Sequence, residues 1–78
     1  MEREIDLHGM TLNEAKKTLE RFIATSPPNT TRIRVVHGHR HGDAIATMVR
    51  DPNVLRSTRI VQRKRTKNQG ETWLILDA

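Results

Sequence analysis

Three of the chain's four histidines fall in one short stretch, Val35-Val36-His37-Gly38-His39-Arg40-His41-Gly42-Asp43. The fourth, His8, sits in a near-copy, Ile5-Asp6-Leu7-His8-Gly9, where an apolar run again meets a His-Gly corner. An imidazole titrates near ~6.5, so one histidine can take a proton while another gives one up at neutral pH. His8 and His37 are therefore the acid/base candidates; the alternative for each is a ring hydrogen bond that pins its own turn. Asp6 would orient an imidazole or help hold a metal, or else pair with a neighbouring arginine as an outward strand residue. His37, His39 and His41 together offer three nitrogens, which keeps a metal-binding protein open as an alternative. Catalytic zinc, however, wants three fixed ligands and an open position, and this loop has glycine at both ends. A two-metal site needs clustered carboxylates, and only Asp6 and Asp43 are near. No cofactor is expected.

The elements that must position these residues can be read in order. Residues 3–8 alternate, with Ile5 and Leu7 on one face and Glu4, Asp6 and His8 on the other, as in a half-buried strand. Thr11 and Glu14 have the spacing of a capping box. Leu12, Ala15, Leu19, Phe22 and Ile23 then form an apolar stripe along a helix, which Ser26-Pro27-Pro28-Asn29 ends. Arg32–Val36 is a second strand with Ile33 and Val35 inward. Asp43 is placed to N-cap a short helix bearing Ala44, Ile45, Met48 and Val49, stopped by Asp51-Pro52-Asn53. Arg59–Arg63 and Thr72–Leu76 are two further strands joined by a loop over 64–70. The lone tryptophan, Trp73, is expected in the core, with stacking on a base as the alternative. The order is β-α-β-α-β-β.

A right-handed crossover between parallel strands brings the ends of the first two to one edge of the sheet. Open α/β sheets place ligands outside that edge. Both His-Gly corners lead from it into helix N-termini, which favour anions such as phosphate.

Seventy-eight residues make one domain over 1–78, and the absence of cysteine excludes disulfides and thiolate metal sites. No apolar run approaches a membrane span, so a cytoplasmic protein with no membrane partner is expected. The net charge is +5 and unevenly placed. Residues 1–20 hold five acids and three bases, and the remainder holds four acids and eleven bases. Between Asp51 and Glu71 there is no acid, while Arg56, Arg59, Arg63, Lys64, Arg65 and Lys67 all occur there. Such segregation marks a polyanion binder more than a merely soluble surface.

Ile5-Asp6-Leu7-His8-Gly9, Glu14-Ala15 within the first helix, and Val36-His37-Gly38 together resemble the small MutS-related (Smr) domain. That family shows an L-D-L-H-G motif, a helix with E-A, and an H-G-x-G-x-G loop. Gly70-Glu71-Thr72, leading into Trp73-Leu74-Ile75-Leu76, fits the family's G-x-T step. The resemblance implies an α+β two-layer sandwich with a four-stranded mixed sheet and two helices, like the C-terminal domain of a bacterial translation initiation factor. It also implies nucleic-acid binding, DNA or RNA, with nicking endonuclease activity in several members. Asp6, His8, His37 and Gly38 occupy the positions regarded as functional. One departure stands out: Arg40 replaces the middle glycine of the loop, exchanging backbone freedom for a side-chain phosphate fork. That exchange bears on nicking more than on binding, and a non-catalytic binding module is the first alternative to a nuclease. Contacts to the nucleic-acid backbone are expected from Gly9, Arg34, Gly38, His39, Arg40, His41 and Gly42 around the corners. Arg59, Arg63, Lys64, Arg65 and Lys67 should extend them along the hairpin. A larger protein or ribosome-associated partner is a further expectation.

Overall fold

The computed structural model describes residues 1–38 and 43–77. Strand β1 spans Glu2–Asp6, helix α1 Leu12–Thr25, strand β2 Arg32–Val36, helix α2 Ala44–Arg50, strand β3 Ile60–Arg65 and strand β4 Glu71–Leu76. The β-α-β-α-β-β order expected from the residues is the order observed. The strands form one mixed sheet in the order β1-β2-β4-β3. β1 runs parallel to β2, whereas β4 is antiparallel to both β2 and β3.

Side-chain parity decides where the core lies. Ile33, Val35, Leu74 and Leu76 point to one face of the sheet, where Leu7 joins them. Onto that face α1 lays Ala15, Leu19 and Ile23, α2 lays Met48 and Val49, and the following turn adds Leu55. Both helices therefore cover the same side, and among the described residues the opposite face of the sheet carries no helix.

Helix α1 begins as its sequence predicts: Thr11 accepts from the Glu14 amide, and Glu14 accepts from the Thr11 amide. Two members of its stripe sit differently. Leu12 is 48% exposed, because the first turn overhangs the edge of the core. Phe22 is half-buried, with the Arg3 guanidinium 4.0 Å from its ring centroid. Asp43 occupies the N-cap position of α2 as expected, yet its side chain makes no capping hydrogen bond. Strand β3 runs two residues further than its sequence pattern suggested, so Lys64 and Arg65 belong to the sheet and only 66–70 form the hairpin turn.

Trp73 requires a larger correction. It lies on the open face, not in the core, because Thr72, Leu74 and Leu76 take the inward positions of β4. Alternation leaves the indole outward, half-buried beneath Arg32.

Candidate functional site

The parallel pairing of β1 and β2 brings the two His-Gly corners side by side. Asp6 lies opposite Val36, and the Leu7 amide donates to the Val36 carbonyl at 2.7 Å, carrying the ladder one step past the strand. Gly9 and Gly38 both have positive φ, 82° and 73°, which lets the chain turn away at the same level. A Cβ added to Gly38 would stand 3.5 Å from the Cβ of His8, so the second corner lies directly against the first.

The two imidazoles nevertheless point to opposite sides. His8 follows the inward Leu7 and faces out, its side chain 69% exposed. Its Nδ1 lies 2.5 Å from the Asp6 carboxylate, and its backbone N–H donates to the same oxygen at 3.0 Å. The ring hydrogen bond from His8, aided by that amide, lowers the Asp6 pKa from its ordinary value. An ionised Asp6 accepts only, so Nδ1 carries a proton in this pair and Nε2 is the ring nitrogen that does not engage Asp6.

His37 continues the inward series Ile33, Val35 and is 4% exposed. Its Nδ1 is 2.9 Å from the Gly38 carbonyl, and its Nε2 is 2.9 Å from Thr72 Oγ1. The same hydroxyl accepts from Arg50 Nε at 2.9 Å. A carbonyl can only accept and a guanidinium can only donate. The chain of donors therefore runs Arg50 to Thr72 to His37 to Gly38, which fixes the Nδ1–H tautomer. The His37 amide also donates to Gly70 O at 2.8 Å, tying the corner to the β3–β4 turn.

The two rings therefore face different surroundings: both ring nitrogens of His37 engage protein groups, whereas Asp6 with His8 forms an exposed pair. Among the described residues no group of three His, Asp or Glu is placed to hold a metal. His39, Arg40, His41 and Gly42 lie outside the described residues, and so does the departure at Arg40.

The basic residues divide by face. Arg59 donates to the carbonyls of Ile23, Ser26 and Pro27, clamping the C-terminal end of α1. Arg63 donates to Val49 O and Leu55 O and holds the end of α2; burial lowers its pKa. These two residues, expected at a nucleic-acid surface, have their guanidiniums occupied by the protein's own helix ends. Lys64 stands opposite Trp73 on the open face, and Arg65 stands opposite Thr72 on the helix side. Lys67 is exposed in the turn, and Arg34 lies on the open face, its Nε 2.6 Å from Glu4. Two residues that the sequence reading passed over belong to the site. Thr72 and Arg50 carry the His37 network, and the only signal for Thr72 was its place in the G-x-T step. Desolvation, reinforced by the nearby Arg65, lowers the Arg50 pKa.

A small open α+β sandwich with an Asp–His pair at its parallel strand ends defines the class, and the comparisons place it. The Smr domain family model matches residues 5–74, and the chain belongs to that family. Among solved structures it is similar to the Smr domain of Thermus thermophilus MutS2, with a TM-score of 0.72 and 24% identity. That likeness covers 97% of this chain and 99% of the other and shows the same fold. No curated protein sequence matches the chain. Among the described residues no helix is long and apolar enough to cross a membrane.

Proposed function

We propose that this Smr domain binds nucleic acid and that its exposed Asp6–His8 pair acts on the phosphodiester backbone as a nicking site. The observation that carries the reading is the Asp6–His8 geometry. A carboxylate 2.5 Å from Nδ1 holds the ring in the tautomer whose Nε2 can take a proton, at the sheet edge that the family motifs build. With RNA, Nε2 would accept the 2′-OH proton as that oxygen attacks phosphorus. The 5′ oxygen would leave with a proton from solvent, giving a cyclic phosphate. With DNA the same base would have to activate water, so RNA is the substrate favoured by the chemistry.

Backbone affinity comes from the exposed cations Lys64, Arg65 and Lys67, and Arg40 adds a further cation in sequence. Arg59 and Arg63 serve the scaffold. The setting that suits this activity is the cytoplasm, with no cofactor, and a ribosome-associated RNA is a fitting target.

Purified wild type and His8→Ala, incubated with structured RNA and with supercoiled DNA, with and without EDTA, test the reading. Cleavage by wild type in both conditions, lost in His8→Ala while affinity stays within about threefold, is the expected result. Equal background from both proteins rejects nicking and leaves a non-catalytic binding module.

A further inference from the structure

The open face of the sheet is built around one aromatic residue. Trp73 lies near its centre on β4, with Arg34 opposite on β2 and Lys64 opposite on β3. Two guanidinium groups lie over the indole: Arg32 Cζ is 4.1 Å from the ring centroid and Arg34 Cζ is 5.7 Å. Both arginines are held from β1, Arg32 Nε by Glu2 at 2.7 Å and Arg34 Nε by Glu4 at 2.6 Å.

We propose that this face is a stacking platform for single-stranded nucleic acid, with a base on Trp73 and the backbone along the Lys64 side. The inference rests on the nucleic-acid reading above and assigns it a second surface, distinct from the Asp6–His8 corner.

Three features of the face argue for that occupant. Placing the one tryptophan outward forgoes the burial that a core position would give, and Thr72, with a smaller side chain, holds an inward place on the same strand. The present cover is weak, since exposed ion pairs and solvent-facing cation–π contacts each contribute little. A base stacked on an indole gains more than either, and every base has the π-face required. Charge then sets the path. Glu2 and Glu4 line the β1 edge and repel phosphates, whereas Lys64 on β3 attracts them. A strand would therefore run its backbone along β3 and aim its bases inward across β4. Arg32 and Arg34 would offer further planar surfaces on β2.

The chain has one tryptophan and no tyrosine, so its ultraviolet emission reports on this face alone. The test follows that emission while the wild-type chain is titrated with a short oligouridine and with a duplex of equal length. Anisotropy of a fluorescein-labelled strand gives affinity in parallel. We expect the single strand to quench emission strongly and the duplex to quench it little. Trp73→Ala should weaken single-strand affinity by roughly tenfold or more, and Trp73→Phe should restore most of it. Lys64→Glu, on an exposed strand position, should weaken it without touching the indole. Should the labelled strand bind while emission stays unchanged, or bind Trp73→Ala and Lys64→Glu as tightly as wild type, the platform is wrong and the nucleic-acid reading stands. Absence of binding to any nucleic acid overturns both. A change of emission with protein concentration alone would mean that a second copy of the chain occupies the face, and would also overturn the proposal.

Discussion

The His8-Gly9 and His37-Gly38 corners share a dipeptide, a positive-φ glycine and a place at the same sheet edge, yet their imidazoles do opposite things. One residue of strand parity separates them. His8 comes directly after the inward Leu7 and turns out to solvent beside Asp6. His37 comes two residues after the inward Val35 and is drawn under the sheet to Thr72. The side-chain period of a strand is two, so a one-residue offset moves a side chain to the other face. Identical motifs in one chain can thus hold a chemical group and its scaffold.

The largest effect should come from setting the two histidines against each other by stability. His37→Ala removes a buried partner of Thr72 and Gly38 and should cost about 2–4 kcal/mol, lowering Tm on the order of 10–25 °C. His8→Ala should stay within about 0.5 kcal/mol. Thermal and urea unfolding read both, and equal losses would break the contrast.

The cations extend the same division. Arg63→Ala leaves the Val49 carbonyl at the end of α2 and the Leu55 carbonyl in the following turn without their charged donor and should cost about 1.5–3 kcal/mol. Lys64→Ala should leave stability nearly unchanged and reduce the slope of affinity against salt by about one. Denaturant midpoints and salt titrations separate the two.

Smaller and more nearly equal effects are expected from the glycines. Gly9→Ala and Gly38→Ala each force an L residue into a left-handed conformation, for about 1–2 kcal/mol. Space is not the obstacle: a Cβ at Gly9 meets nothing within 4 Å, and one at Gly38 meets His8 at ordinary contact distance. A much larger loss at Gly38 in chemical unfolding would show that the corners pack more tightly than this.

Asp6 should give the smallest effect. Its carboxyl titrates below the ordinary value because the folded state hydrogen-bonds the ionised form. The stability it contributes is therefore present above pH ~4 and is lost as pH falls through its lower folded value. The pair is exposed, so the contribution is only a few tenths of a kcal/mol. Asp6→Asn should flatten that part of the stability–pH curve, as followed by urea unfolding at stepped pH. An unchanged curve would remove the proposed grip on His8.

Much of this was legible in the residues. The capping box, the proline stop and the alternating strands are local signals, and each appears near where its pattern placed it, with strand ends shifted by one or two residues. Strand order was not local: nothing in Arg59–Arg63 or Thr72–Leu76 says that β4 enters between β2 and β3. That insertion decides that Trp73 meets Arg32 and Arg34. Arg59 and Arg63 were legible as cations, but a sequence does not reveal which helix ends need a donor. The adjacency of the corners followed from the crossover. The opposite facing of their rings required the register at which β2 becomes loop, and Thr72, far along the chain, completed it.

The division of labour between the corners can be tested by a long-range ¹⁵N–¹H NMR correlation on the histidine rings of the wild-type chain at slightly alkaline pH. His37 is expected to carry its proton on Nδ1, with Nε2 accepting from Thr72, and to keep that proton protected from exchange, while the ring proton of His8 exchanges readily with solvent. An Nε2–H tautomer at His37, or a His37 ring proton exchanging as fast as that of His8, would contradict that division.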